Sequence, residues 1–140
     1  MALILNIETA TTNCSVSISK DGKTVFLKED NNKNYSHAES LHLFIDAVLK
    51  ESNTTLADID AIAVSKGPGS YTGLRIGVSA AKGLCFALNK PLISVPTLQA
   101  LAHQVKVEDG FVVSMLDARR MEVYSSIFDS HYNQIRDAEA

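Results

Sequence analysis

Apolar and polar positions change their period several times along the chain, and each change marks an element. Leu3, Ile4, Leu5 and Ile7 form a nearly continuous apolar run that gives way to Glu8-Thr9-Ala10-Thr11-Thr12. That is the pattern of a buried central strand entering a polar loop. Strict alternation follows, with Cys14, Val16 and Ile18 on one face and Ser15, Ser17 and Ser19 on the other. Asp21-Gly22 then separates this run from Val25-Phe26-Leu27, and Asp-Gly between two such runs is a strong signal for a two-residue hairpin turn. The first three strands are therefore a meander.

Beyond the polar stretch 30–35 the period changes to that of a helix. Ser36-His37-Ala38-Glu39 fits a capping box. Leu41, Phe44, Ile45, Val48 and Leu49 recur at the spacing of one buried helical face. Ala61 to Ser65 reads as a fourth, parallel strand, and a glycine-rich turn leads into a helix from about Gly73 to Leu88, ended by Asn89-Lys90-Pro91. Leu92 to Val95 is a fifth strand, and Pro96-Thr97 opens a helix to about Val105. After Val107-Glu108-Asp109-Gly110 the strands begin again, at 111–116 and 122–128. The order βββαβαβα followed by ββ predicts one complete α/β unit over residues 1–106 and the first strands of a truncated second over 107–140.

Composition narrows the function. The 140 residues are 46% hydrophobic and carry 13 Lys and Arg against 16 Asp and Glu, a net charge of −3. That balance supplies no basic footprint for gripping nucleic acid unaided. Cys14 and Cys85 are too few for a disulfide scaffold. Apolar runs fall short of the ~20 residues that a membrane helix needs, and Ala2 to Leu5 reads as a strand rather than a signal peptide. The expectation is a soluble, cytoplasmic protein that does not contact a membrane.

The richest candidate for chemistry is the segment Gly67 to Gly77, GPGSYTGLRIG. It joins a strand to a helix, where free amides and the helix dipole attract anions. It lacks the Gly-Lys-Ser/Thr ending of a P-loop, and its glycine spacing is one residue too long for a dinucleotide fingerprint. A phosphate-binding loop using Gly67, Gly69 and Ser70, and a tight turn with close helix–sheet packing through Gly73, Gly77, Ala80, Ala81 and Gly83, both remain open. Glu8 and Thr9, at the end of the first strand, join the phosphate-loop candidates, since α/β proteins bind ligands where strands end in loops. Arg75, Ser79 and Lys82 make one polar stripe on an otherwise apolar helix, either a solvated face or an interaction surface.

Metal and nucleophile arrangements fail on spacing. His37 and His42 are separated by about 140° around a helix and cannot both face one ion. Ser70 or Thr72 would need a base within reach to act as nucleophile, and neither His103 nor His131 has a place in sequence beside them.

At these residues the sequence resembles a known family. Ile4 to Thr12, His37-Ala38-Glu39, Gly67 to Gly77, and Asp117-Ala118-Arg119 with Glu122-Val123-Tyr124 are together similar to the TsaB (YeaZ) proteins, once labelled glycoprotease-like or M22 peptidase homologues. The resemblance implies the actin-like, sugar-kinase and Hsp70 ATPase fold, of ribonuclease H-like type. It also implies a non-catalytic subunit that supports a TsaD-like catalytic subunit, alongside a small TsaE-like ATPase, in placing a threonylcarbamoyl group on N6 of adenosine 37 of tRNA. Homodimers in isolation, tRNA met only through the complex, and no cofactor except ATP and a divalent metal within that complex are implied with it. Carried over by position, the helices starting at Ser36 and Gly73 are interface candidates, through Ser36, His37, Leu41, Arg75, Ser79 and Lys82. Glu8 departs from the family's usual Asp. The alternatives are an ATP-binding, phosphotransferase-like enzyme in its own right and a metal-dependent glycoprotease-like peptidase.

Overall fold

A computed structural model describes residues 1–31 and 37–140. Strand β1 (Leu3–Glu8) lies at the centre of a five-stranded sheet of order β3-β2-β1-β4-β5, with β2 (Cys14–Lys20) antiparallel to it and β3 (Lys23–Asp30) antiparallel to β2, as the meander requires. Asp21 and Gly22 both have positive φ, 50° and 78°, the type I′ geometry that matches the twist of a hairpin. Strands β4 (Ala61–Ser65) and β5 (Leu92–Val95) add in parallel on the other side. Every residue of β4 is buried, as expected for a parallel strand covered on both faces.

Helix α1 (His37–Glu51) packs on β2 and β3, and helix α2 (Tyr71–Leu88) on β4. Their shared core joins Leu5, Ile7, Val16 and Ile18 of the sheet to Leu41, Ile45 and Val48 of α1 and Ala81 of α2. Between α1 and β4 the Asp58 carboxylate accepts the amide and the hydroxyl of Thr55, both at 2.8 Å, and these bonds hold its pKa below the ordinary value. Helix α2 ends where Asn89 takes a left-handed conformation at φ 52°, a C-terminal cap suited to Asn.

Several details differ from the sequence reading. Helix α2 begins at Tyr71 rather than Gly73, because Ser70 caps it and its Oγ accepts the Gly73 amide at 3.3 Å. Helix α3 (Thr97–Ala102) stops three residues short of Val105. A further strand, β8 (Gln134–Glu139), follows β6 (Phe111–Arg119) and β7 (Glu122–Asp129) in an antiparallel sheet of order β6-β7-β8. The helix cap predicted at Ser36 lies outside the described residues.

The second sheet lies against α3. Val112 and Phe128 pack on Ala102, while Tyr132 stacks on His103 with ring centroids 4.2 Å apart and donates its hydroxyl to the Val105 carbonyl at 2.7 Å. The β6–β7 hairpin turns through Arg120 and Met121, and with Arg119 three successive side-chain-bearing residues have φ of 67°, 53° and 64°. That region favours glycine, and Met121 is fully exposed. Met121→Gly is expected to raise stability by about 1 kcal/mol by relieving this conformation, read as a higher midpoint in urea unfolding. An unchanged or lower midpoint counts against strain at this turn.

Among the described residues no helix is long and apolar enough to cross a membrane.

Candidate functional site

The β1–β2 loop and the turn between β4 and α2 meet, and their polar groups are satisfied largely by one another. The Ala10 carbonyl accepts the Ser70 amide at 2.7 Å. Thr9, 1% exposed, donates its hydroxyl to the Gly73 carbonyl at 2.7 Å. Small residues make this approach feasible. A Cβ on Gly73 would lie 2.2 Å from the Thr9 carbonyl oxygen, and one on Gly77 would lie 2.2 Å from Thr9 Oγ1. Gly83, grouped with them in sequence, meets nothing within 4 Å and takes no part in close packing.

His37 ties α1 to the same junction. It is 1% exposed, and its Nε2 lies 2.6 Å from the Thr11 carbonyl. A carbonyl only accepts, so Nε2 carries the proton. Its ring edge also stands over Gly73, since a Cβ there would come within 3.2 Å of His37 Cδ2. His37→Ala is expected to cost about 2–3 kcal/mol through the lost hydrogen bond and the cavity left behind, measurable as a lower urea midpoint. A cost within error of zero removes His37 as the tie.

Around this junction a cleft of about 640 Å³ opens, lined by Ala10 to Thr12, Gly69 to Thr72 and, from the second sheet, Leu116 to Arg119 with Tyr124. Of the five phosphate-loop candidates only Gly69 and Ser70 line it. Thr9 is buried under α2. The Gly67 carbonyl accepts the Thr97 amide at 2.9 Å and so anchors α3. Glu8 lies beside a smaller hollow of about 350 Å³, bordered also by Asn6, Ser17 and Ser65. Its carboxylate accepts the Ala10 amide at 2.8 Å and the Ser65 hydroxyl. The cleft's second wall, with Asp117, Arg119 and Tyr124, was not singled out as a binding site in the sequence. Local patterns place those residues in a hairpin, and only packing against α3 brings them opposite Ser70.

Burial pushes both thiols above their ordinary pKa, Cys14 with a smaller contribution from Asp30. Neither is a thiolate nucleophile at neutral pH. His37 is buried and His42 exposed, so the two do not converge. Among the described residues no group of three His, Cys, Asp or Glu could hold a metal.

The interface candidates divide by burial. Leu41 and His37 sit in the interior, at 0% and 1% exposure, and cannot form an outer surface. Leu41 belongs to the face that helical periodicity assigns to the core, and His37 is drawn in by the Thr11 carbonyl. Ser36 lies outside the described residues. Arg75, Ser79 and Lys82 are exposed along α2. Tyr71 and Phe86, 75% and 91% exposed, extend this stripe at either end. The Arg75 guanidinium lies 5.4 Å from the centroid of the Tyr71 ring, and α2 carries no acidic residue. On the neighbouring α1, Glu39, Leu43 and Asp46 are exposed, with Asp46 paired to Lys50 at 2.7 Å.

The family described as "TsaD: tRNA N6-adenosine threonylcarbamoyltransferase" matches residues 31–140. A relative from Escherichia coli, named tRNA threonylcarbamoyladenosine biosynthesis protein TsaB, is 35% identical over 139 residues, covering 94% of this chain and 57% of the relative. The solved structure of YeaZ from Pseudomonas aeruginosa superposes with a TM-score of 0.85 at 30% identity, over 100% of this chain and 65% of that one. The chain belongs to the TsaD family and is similar to its relatives named TsaB and YeaZ. The fold is thus that of YeaZ, an α/β fold with the mixed sheet that the sequence predicts. The chain spans little more than half the length of the E. coli TsaB relative. A Staphylococcus saprophyticus protein named tRNA N6-adenosine threonylcarbamoyltransferase is 40% identical over 108 residues, covering 66% of this chain and 32% of its own.

Proposed function

We propose that this chain serves tRNA threonylcarbamoyladenosine synthesis as a non-catalytic subunit that binds and supports a TsaD-like catalytic subunit. The observation that carries the reading is the outer stripe of α2. Tyr71 and Phe86 stand exposed at its ends, Arg75 and Lys82 between them, with no acidic residue on the helix. Aromatic and Arg anchors on a rigid helix are the composition of a binding hot spot. The adjoining face of α1 carries Glu39 and Asp46, so a basic helix and a partly acidic one lie side by side. Such a face is also self-complementary across a two-fold axis, since α1 of one copy can meet α2 of another. We therefore assign homodimers and the TsaD-like partner to the same face, in competition.

A supporting rather than catalytic role agrees with the inward use of the two loops, where Glu8, Thr9 and Ser70 all hold structure. ATP, a divalent metal, a TsaE-like ATPase and tRNA belong to the assembled complex in this reading, and the place of action is the cytoplasm. The test is restoration of threonylcarbamoyladenosine in a strain depleted of its own TsaB. Failure of the chain to restore the nucleoside, with failure to copurify with the TsaD-like subunit, overturns the proposal.

One observation favours a second reading, an ATP-binding phosphotransferase-like enzyme. The cleft of about 640 Å³ opens at the N-terminal end of α2, between the β1–β2 loop and the second sheet. Calorimetry with ATP and magnesium decides it, because absence of heat from the isolated chain removes independent nucleotide chemistry.

A further inference from the structure

We draw no further inference here: the strongest candidate, the open apolar face of the second sheet carried by Phe111, Val113 and Met115, carries none because nothing in the structure shows what covers it.

Discussion

Gly77→Ala is expected to destabilise the protein by about 2–3 kcal/mol, the cost of overpacking a tight contact, although Ala normally gains over Gly inside a helix. The reversal of sign comes from Thr9, whose Oγ1 would lie 2.2 Å from the new methyl. Because the obstruction is a side chain, it can be removed. Thr9→Ala deletes Oγ1 and Cγ2 and leaves only Cβ, 3.3 Å from the added atom, so the double variant should recover much of the loss. Gly73→Ala should cost at least as much, again about 2–3 kcal/mol, but Thr9→Ala should not rescue it. There the obstruction is the Thr9 backbone carbonyl, also at 2.2 Å. Gly83→Ala on the same helix meets open space and should gain about 0.5–1 kcal/mol. Urea unfolding of the four single variants and two double variants gives each coupling energy directly. Equal coupling of Thr9→Ala to Gly73→Ala and Gly77→Ala would show that the α2 contact is not as described.

The second large effect concerns the outer stripe of α2 and rests on the proposed function. Reversing both charges, Arg75→Glu with Lys82→Glu, should weaken binding of the TsaD-like subunit by about 100-fold, since two cations facing an acidic partner become two repulsions. Phe86→Ala should weaken it by at least about 10-fold as the loss of an aromatic anchor. All three side chains are exposed, so thermal unfolding midpoints should stay within about a degree or two of the parent. Affinity measured by calorimetry at two salt concentrations separates the effects. The parent should lose affinity as salt rises and the charge-reversed variant should not. Unchanged affinity in both variants places the partner elsewhere and removes this face from the proposal.

Much of the architecture is legible in the chain because it is written in local periods. The alternation from Cys14 to Lys20, the Asp21-Gly22 turn and the stripe from Leu41 to Leu49 each specify an element without reference to anything distant. Strand β8 is illegible in the sequence for the complementary reason. Gln134-Ile135-Arg136-Asp137-Ala138-Glu139 has one large apolar residue, so it carries no period, and it becomes a strand because β7 offers a free edge to pair with. The sequence places the start of α2 two residues late because Ser70-Tyr71-Thr72 reads as turn. Its capping role depends on one hydroxyl reaching the Gly73 amide, with no Glu or Gln at the third position to complete a capping box.

The candidate site was legible in its residue types and not in its arrangement. Glu8, Thr9, Gly67, Gly69 and Ser70 look alike in sequence, as polar or glycine positions at strand ends. In space they serve four purposes, bordering a hollow, holding a helix, anchoring α3 and lining the cleft. The sequence by itself determined the elements as far as β7, their order and the family resemblance, since each rests on short-range spacing or on contiguous motifs. Only the tertiary structure decided that His37 faces inward, that Arg119 stands opposite Ser70, and which glycines must remain glycine. Those facts are contacts between residues far apart in the chain, such as Thr9 and Gly73 at a separation of 64. Local periodicity places a residue on a face, but only packing determines what that face meets.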